Sequence, residues 1–297
     1  MKHFISIDLG GTNVRVAKMD EEGNILAVLK SSSYAKEGRE KMISNMKELI
    51  QQIPGYEECT GIGIGAPGAC DQEKGCLLID TNVPGLKDYP IVKDFEDSFH
   101  MPVRIENDAD VAGLGEAIYG IGKEYPSVFY ITISTGIGGA FILNKKVVSG
   151  RKGFGAEIAN LVIDPSREKV NYLAKGAVEN EASGTAINRK VNQKLNRTVA
   201  HAGEVFQLAR EGNPIAQEII DGAIHDIAQM LASISAVIAP HIFILGGGFM
   251  KSSDYFMEDL RKYYAELVHE ELKDTPIVQA SLDEPGLMGA IELVKNL

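Results

Sequence analysis

Three times along this chain a short apolar run empties directly into glycine. Residues 4–9 lead into Gly10-Gly11-Thr12, residues 127–133 into Thr135-Gly136-Ile137-Gly138-Gly139, and residues 242–245 into Gly246-Gly247-Gly248. Each run is short and rich in strand-forming residues, so each reads as a buried strand. A strand that ends on glycine lets backbone N–H groups approach an anion, because no Cβ intervenes. One such turn is usually only structural; three in this order and spacing point to phosphate binding. After the first two turns the chain continues as strand (13–19 and 140–143), and 24–30 extends the first hairpin into a meander. A dinucleotide-binding fold would place a helix after its first glycine turn, so that fold is disfavoured. The repeated strand, glycine turn and strand suggest two related lobes, although any two hairpins share that outline.

The remaining pattern supplies what two α/β lobes need. An amphipathic helix is expected over 39–53, with Met42, Ile43, Met46, Leu49 and Ile50 on one face. A buried strand over 61–65 ends at Pro67-Gly68, a helix follows at 91–99, and a short strand at 103–105 precedes a helix over 108–119 capped by Asn107 or Asp108. Residues 164–176 read as a polar loop. Asn213-Pro214 opens a long helix to 238, with Ile215, Ile219, Ala223, Ile227, Met230, Ile234 and Val237 as its apolar stripe. A last strand is expected at 276–280, and Pro285-Gly286 opens a helix running nearly to 297. No low-complexity linker interrupts the 297 residues, so two domains joined by tight crossings and a hinge are expected: 1–118 with 286–297, and 119–285.

Composition narrows the function classes. No apolar run nears the ~20 residues of a membrane span, and the start lacks the apolar core of a signal peptide. The formal net charge of −11 disfavours general nucleic-acid binding. Cys59, Cys70 and Cys76, an odd number without a secretion signal, read as reduced thiols in a cytoplasmic protein.

Several side chains carry chemistry. Asp8 stands just before the first glycine turn, where a carboxylate would repel phosphate unless a cation intervened, so it is assigned to Mg²⁺ through water and Thr12 to the γ-phosphate. Thr135, Gly136 and Gly138 form the matching grip on the other lobe, and Gly246, Gly247 and Gly248 can lie under a planar base or an α-phosphate. Glu106-Asn107-Asp108-Ala109 sits between a strand and a helix, at a strand's C-terminal edge where α/β folds bind ligands. Capping explains one polar residue there, not a run of three. Asn107 can donate to and accept from a polyol, and Asp108 can accept a hydroxyl proton during phosphoryl transfer. Glu157, after Gly153-Phe154-Gly155-Ala156, is a ligand candidate, with Glu179 beyond the polar loop.

In this order, the motifs at 8–12, 106–109, 135–139 and 246–248 resemble the ROK family of bacterial sugar kinases and repressors, over essentially the whole chain. The resemblance implies an α/β, two-lobed actin-like (ribonuclease H-like) ATPase fold, each lobe a mixed sheet flanked by helices, with ATP and sugar in the interdomain cleft. It implies Asp108 as catalytic base and Asn107, Asp108, Glu157 and Glu179 as ligands of the sugar hydroxyls. Gly65, in Gly65-Ala66-Pro67-Gly68, and Asn82, Pro84 and Gly85, in Thr81-Asn82-Val83-Pro84-Gly85, match sugar-side loops. The ATP set comprises Asp8, Gly10, Gly11, Thr12, Asn13, Thr135, Gly136, Gly138, Gly246, Gly247 and Gly248. The expected reaction turns ATP and a hexose into ADP and a sugar 6-phosphate, with glucose or a close relative first and N-acetylmannosamine or a β-glucoside as rivals. A homodimer is expected, with no nucleic acid or membrane partner.

Two alternatives differ in class. Repressors of the family carry an N-terminal helix-turn-helix, for which no room precedes Asp8. A sugar sensor with little catalysis is prompted by one departure: many relatives have a His and a Cys-rich zinc loop after the first glutamate. Here Ala159-Asn160 follow Ile158, and 170–178 contains neither Cys nor His. No zinc site is therefore expected. Asn160 either donates to a sugar hydroxyl or fills the vacated space, and Val170, Tyr172, Leu173 and Val178 are candidates for the loop's small core.

Overall fold

The computed structural model describes residues 2–79, 82–196 and 198–297. They form two compact units. The first holds the chain through Pro126, Ala140–Ala156 and Ser281–Leu297; the second holds Ser127–Gly139 and Glu157–Ala280.

In the first unit β1 (His3–Leu9), β2 (Asn13–Asp20) and β3 (Ile25–Ser32) form an antiparallel meander. Then follow α1 (Arg39–Gln52), β4 (Ile62–Ala66), a small hairpin of β5 (Cys70–Asp71) and β6 (Cys76–Leu77), α2 (Ile91–Phe99), β7 (Val103–Asn107) and α3 (Asp108–Ile118). The main sheet runs β3-β2-β1-β4-β7, with β4 parallel to both β1 and β7. The two-residue side-chain period of β1 explains its burial on both faces. Ile5, Ile7 and Leu9 join the cluster containing Met42, Ile43, Met46 and Ile50 of α1. Phe4 joins Leu287 and Ile291 of the C-terminal helix Pro285–Glu292, and Ser6 Oγ donates to Leu287 O at 2.7 Å. That helix lies so close to the sheet that a Cβ on Gly63 would fall 1.8 Å from Ala290 O. Register then aligns the strand ends: Asp8 opposite Gly65, Gly65 opposite Glu106, and Ala66 opposite Asn107.

The second sheet runs β10-β9-β8-β11-β12, from β8 (Ser127–Ile133), β9 (Ile137–Leu143), β10 (Lys146–Val147), β11 (Ile242–Gly246) and β12 (Ile277–Gln279). β11 is parallel to β8 and β12, and β10 antiparallel to β9. Its order repeats that of the first sheet: a meander's third, second and first strands, then two crossover strands. The helices are α4 (Val178–Ala182), α5 (Gly184–Leu195), α6 (Ala202–Arg210), α7 (Pro214–Val237) and α8 (Ser253–Leu267). Asn213 caps α7 by accepting from Ile215 N and Ala216 N, with Pro214 in the first turn.

Four sequence expectations need correction. β9 begins at Ile137, not 140, so Gly138 and Gly139 are extended strand; burial of Ile137 and a carboxylate bond to its N–H hold it there. The C-terminal helix ends at Glu292 and gives way to turns. Helix α8, polar along much of its length, was not anticipated. In the α7 stripe, Ile219, Ala223, Ile227, Met230 and Ile234 are buried and Ile215 half-buried, but Val237 is 84% exposed, because the helix ends there and the chain turns through left-handed Ala239.

Candidate active site

The first glycine turn is closed by Gly10 N donating to Asn13 O at 2.8 Å, while Thr12 O accepts from Ser33 N. Thr12 and Asn13 stay exposed. A Cβ on Gly11 would lie 3.0 Å from Asn82 O, so the segment from Asn82 packs against this turn. Thr81 of the same motif lies outside the described residues. Across the hairpin from Asp8 stands Arg15, whose Nε and Nη2 donate to Asp8 Oδ2 at 3.1 and 2.6 Å; its Nη1 donates to Glu284. A Cβ on Gly286 would come within 3.6–3.8 Å of the Asp8 carboxyl atoms. The glycine leaves room over a carboxylate whose other oxygen is held by an arginine fork, a cradle that suits a hydrated cation.

At the end of β7 one residue serves as the cap that sequence reasoning weighed. Asn107 Oδ1 accepts from Ala109 N (2.9 Å) and Asp110 N (3.3 Å), and its Nδ2 donates to Gly68 O (3.2 Å). Asp108 is the first residue of α3 and its Oδ1 accepts from Ala109 N at 2.8 Å. A carboxylate at a helix N-terminus is favoured in its charged form by the macrodipole. Gly65 lies beneath this corner; a Cβ there would meet Val111 Cγ2 at 2.6 Å, so it admits α3 close to β4. Gly85 has φ +88°, and Leu86 N donates to Val83 O around Pro84.

In the second unit the turn is Ser134–Gly136, closed by Ser134 N donating to Gly136 O and tied to α5 by Gly184 N donating to Ser134 O. Glu179 reaches beneath it: Oε2 accepts from Ile137 N at 2.8 Å, and a Cβ on Gly136 would lie 2.4 Å from that oxygen. Gly246 ends β11, and Gly247, at φ +88°, lies where a Cβ would be 2.4 Å from Ile133 O. Gly248 begins a short 3₁₀ turn. Beside these turns is a cavity of about 510 Å³ lined by Ser134, Thr135, Asn188, Phe206, Gly248 and Lys251. Its volume falls in the ~300–1,000 Å³ range of small-molecule sites. The α5 and α6 contributors were missed by sequence reading, because neither helix carries a motif.

Glu157 keeps contact with solvent, yet packing around it and the neighbouring Glu179 charge push its carboxyl up. Partial desolvation, then the Glu179 and Glu157 charges, push the hydroxyl of the largely exposed Tyr172 up. Asn160 Oδ1 accepts from Ala174 N at 2.7 Å, pinning the polar loop, and Ile163 N donates to Gly176 O across its base. Leu173 and Val178 are buried, but Val170 is 41% and Tyr172 73% exposed, so the loop core is smaller than the sequence suggested. The loop is held instead by Arg167. Its Nη1 and Nη2 donate to Asp226 of α7 at 2.6 and 2.7 Å, and Nη1 lies 3.1 Å from Glu181 of α4. Bidentate geometry makes this the strong form of an ion pair. The loop's side chains do not fit zinc, and among the described residues no group of three or more His, Cys, Asp or Glu could hold a metal ion.

Comparisons with known proteins accord with this geometry. Glucokinase of Thermotoga maritima is 29% identical, the match covering 99% of this chain and 97% of the relative. A ROK hexokinase from Thermus thermophilus superposes with a TM-score of 0.88 at 29% identity, over 99% of this chain and 97% of that one. A ROK family glucokinase from Streptomyces griseus, solved with glucose and AMPPNP, gives 0.84 at 26% identity, over 99% and 100%. The fold is thus the actin-like ATPase fold, with two mixed sheets flanked by helices. Residues 4–297 match the family itself, and the chain belongs to the ROK family.

Proposed function

We propose that the protein is an ATP-dependent hexose kinase that transfers the γ-phosphoryl group to O6 of glucose or a related sugar. The observation that carries this reading is the register of the first sheet. It brings Asp8 and its glycine turn to the same end of the sheet as Asn107 and Asp108, so that a phosphate cradle and a hydroxyl acceptor end on strands separated only by β4.

Asp108, the first residue of α3, accepts the proton of the attacking hydroxyl. Asn107 orients the sugar through what its cap bonds leave available, and Glu157 and Glu179 hold further hydroxyls, with 82–85 and Gly65 shaping the sugar side. Asn160, already bonded through Oδ1 to the loop, contributes chiefly by holding that loop. Thr12, Asn13 and the backbone of Gly10 and Gly11 are the phosphate ligands of the first unit; Thr135, Gly136 and Gly138 are those of the second, with Gly246, Gly247 and Gly248 beside the base cavity. Asp8 is the group to hold Mg²⁺ through water. When bound, the cation would neutralise phosphate charge during transfer. Most of the rate comes from alignment and charge stabilisation rather than covalent chemistry. A coupled ADP-release assay over glucose, mannose, N-acetylmannosamine, N-acetylglucosamine and a β-glucoside tests the reading. Sugar-dependent release with at least one is expected, and none with any would overturn it.

A further inference from the structure

Glu106 is buried, 3% exposed, and takes no part in the chemistry assigned above. Both its oxygens are engaged. Oε1 accepts from the N–H of Asn107 at 2.9 Å. Oε2 accepts from Gln72 Nε2 at 2.7 Å and Ser149 Oγ at 3.0 Å. Gln72 Nε2 also donates to Ile105 O, one residue before, at 2.6 Å. The carboxylate therefore joins three separate stretches of the first unit: the end of β7, the turn between β5 and β6, and the 140–156 segment that leads into Glu157. The bond to Asn107 N fixes the residue that caps α3 and precedes Asp108.

We propose that Glu106 is a positioning residue for the acceptor corner, acting through Asn107 to hold the sugar ligand and the base in their working orientation. This rests on the kinase reading. A misplacement of the order of 1 Å in such a group lowers turnover up to about a hundredfold. Burial pushes the Glu106 carboxyl up, while the Asn107, Ser149 and Gln72 donors pull it back. A raised acid of this kind favours the fold while protonated, and that contribution is lost as pH rises through its folded value. Burial of the ionised form thus costs stability that the three donors offset only in part. Arg104 on β7, Lys145 in the β9–β10 turn, Lys146 on β10 and Glu292 of the C-terminal helix line one cavity with Glu106, and Cys70 of β5 feels the charges of Glu106 and of Asp108 and Asp110 at the start of α3.

The decisive comparison uses the full chain with Glu106→Gln, Ser149→Ala and Gln72→Ala, measured for ADP release across pH. Glu106→Gln should lower kcat/KM for the sugar about 10- to 100-fold, leave KM for ATP within about twofold, and keep the melting temperature. Ser149→Ala and Gln72→Ala remove donors that favour the charged form. Each should leave turnover near the parent's at high pH and move the acid limb of sugar kcat/KM to higher pH, a shift that mere packing would not produce. A parent that releases no ADP with any sugar overturns the kinase reading and this inference with it. An active parent whose Ser149→Ala and Gln72→Ala variants keep the parental acid limb overturns the inference alone, whether or not Glu106→Gln folds.

Discussion

The Asn107–Asp108 corner and the Glu157–Glu179 pair are assigned to the same sugar, yet they are held by opposite means. The corner is the junction of a strand and a helix. Register fixes one side, a cap fixes the other, and Glu106 ties down the connection. The glutamates stand on irregular chain and a helix of five residues, beside a loop held by one arginine. Proton transfer tolerates little misalignment and so occupies regular elements. Recognition tolerates more, and the loop is where acceptor preference can change without disturbing the chemistry.

The sharpest way to break that contrast is Asp108→Asn. The amide keeps size and much of the hydrogen bonding but accepts no proton, so kcat should fall ~10²–10⁴-fold while calorimetry finds sugar affinity little changed. A variant within about threefold of the parent's kcat would place the base elsewhere. Next comes Arg167→Met, which strands the Asp226 carboxylate, only 3% exposed, without its partner. Because the arginine side chain is itself 31% exposed, the loss in urea unfolding should be on the order of 2 kcal/mol, below that of a fully buried pair. A zinc chelator should leave the parent's melting temperature where it was; a drop would mean that a metal, not the arginine, anchors the loop.

A finer test separates the two glutamates. Glu179 also accepts from Ile137 N beside the phosphate turn, so Glu179→Gln should raise KM for both sugar and ATP, each several-fold and up to about tenfold. Glu157→Gln should raise KM for the sugar alone. Its carboxyl titrates above the usual carboxylate range through burial and the Glu179 charge. The charged acceptor form is therefore lost as pH falls through a window above ~4.3, and sugar KM should rise there in the parent but stay flatter in the variant. Equal effects of both substitutions on ATP would erase the distinction.

How much of this was legible depended on distance along the chain. Strand β1, its turn and β2 could be read because alternation and glycine are local signals, and the strand-to-cap passage at 103–109 likewise. The Arg15–Asp8 pair is readable in principle, since the two stand symmetrically about the hairpin turn, but a carboxylate assigned to a cation gives no reason to expect an arginine partner. Arg167 and Asp226 are 59 positions apart, and no periodicity marks such a pairing. The glycines at 138–139 pointed to a longer turn because the Glu179 bond that extends Ile137 comes from 42 positions away. The return of 140–156 to the first unit has no shift in composition to announce it.

The seat of the C-terminal helix on the first sheet has a consequence for the order of assembly. Ser6 of β1 bonds to Leu287, 281 positions later. Phe4 and Met19 find their apolar partners in Leu287 and Ile291. A growing chain can therefore complete 157–280 while one face of the first sheet is covered only in part, by α3. Domains made first usually fold first during synthesis; here the earliest strands must wait. A nascent chain stalled before residue 285 would present the part of that face around Phe4 and Met19 to chaperones, and shortening the helix should harm yield more than it harms the activity of the molecules that do fold.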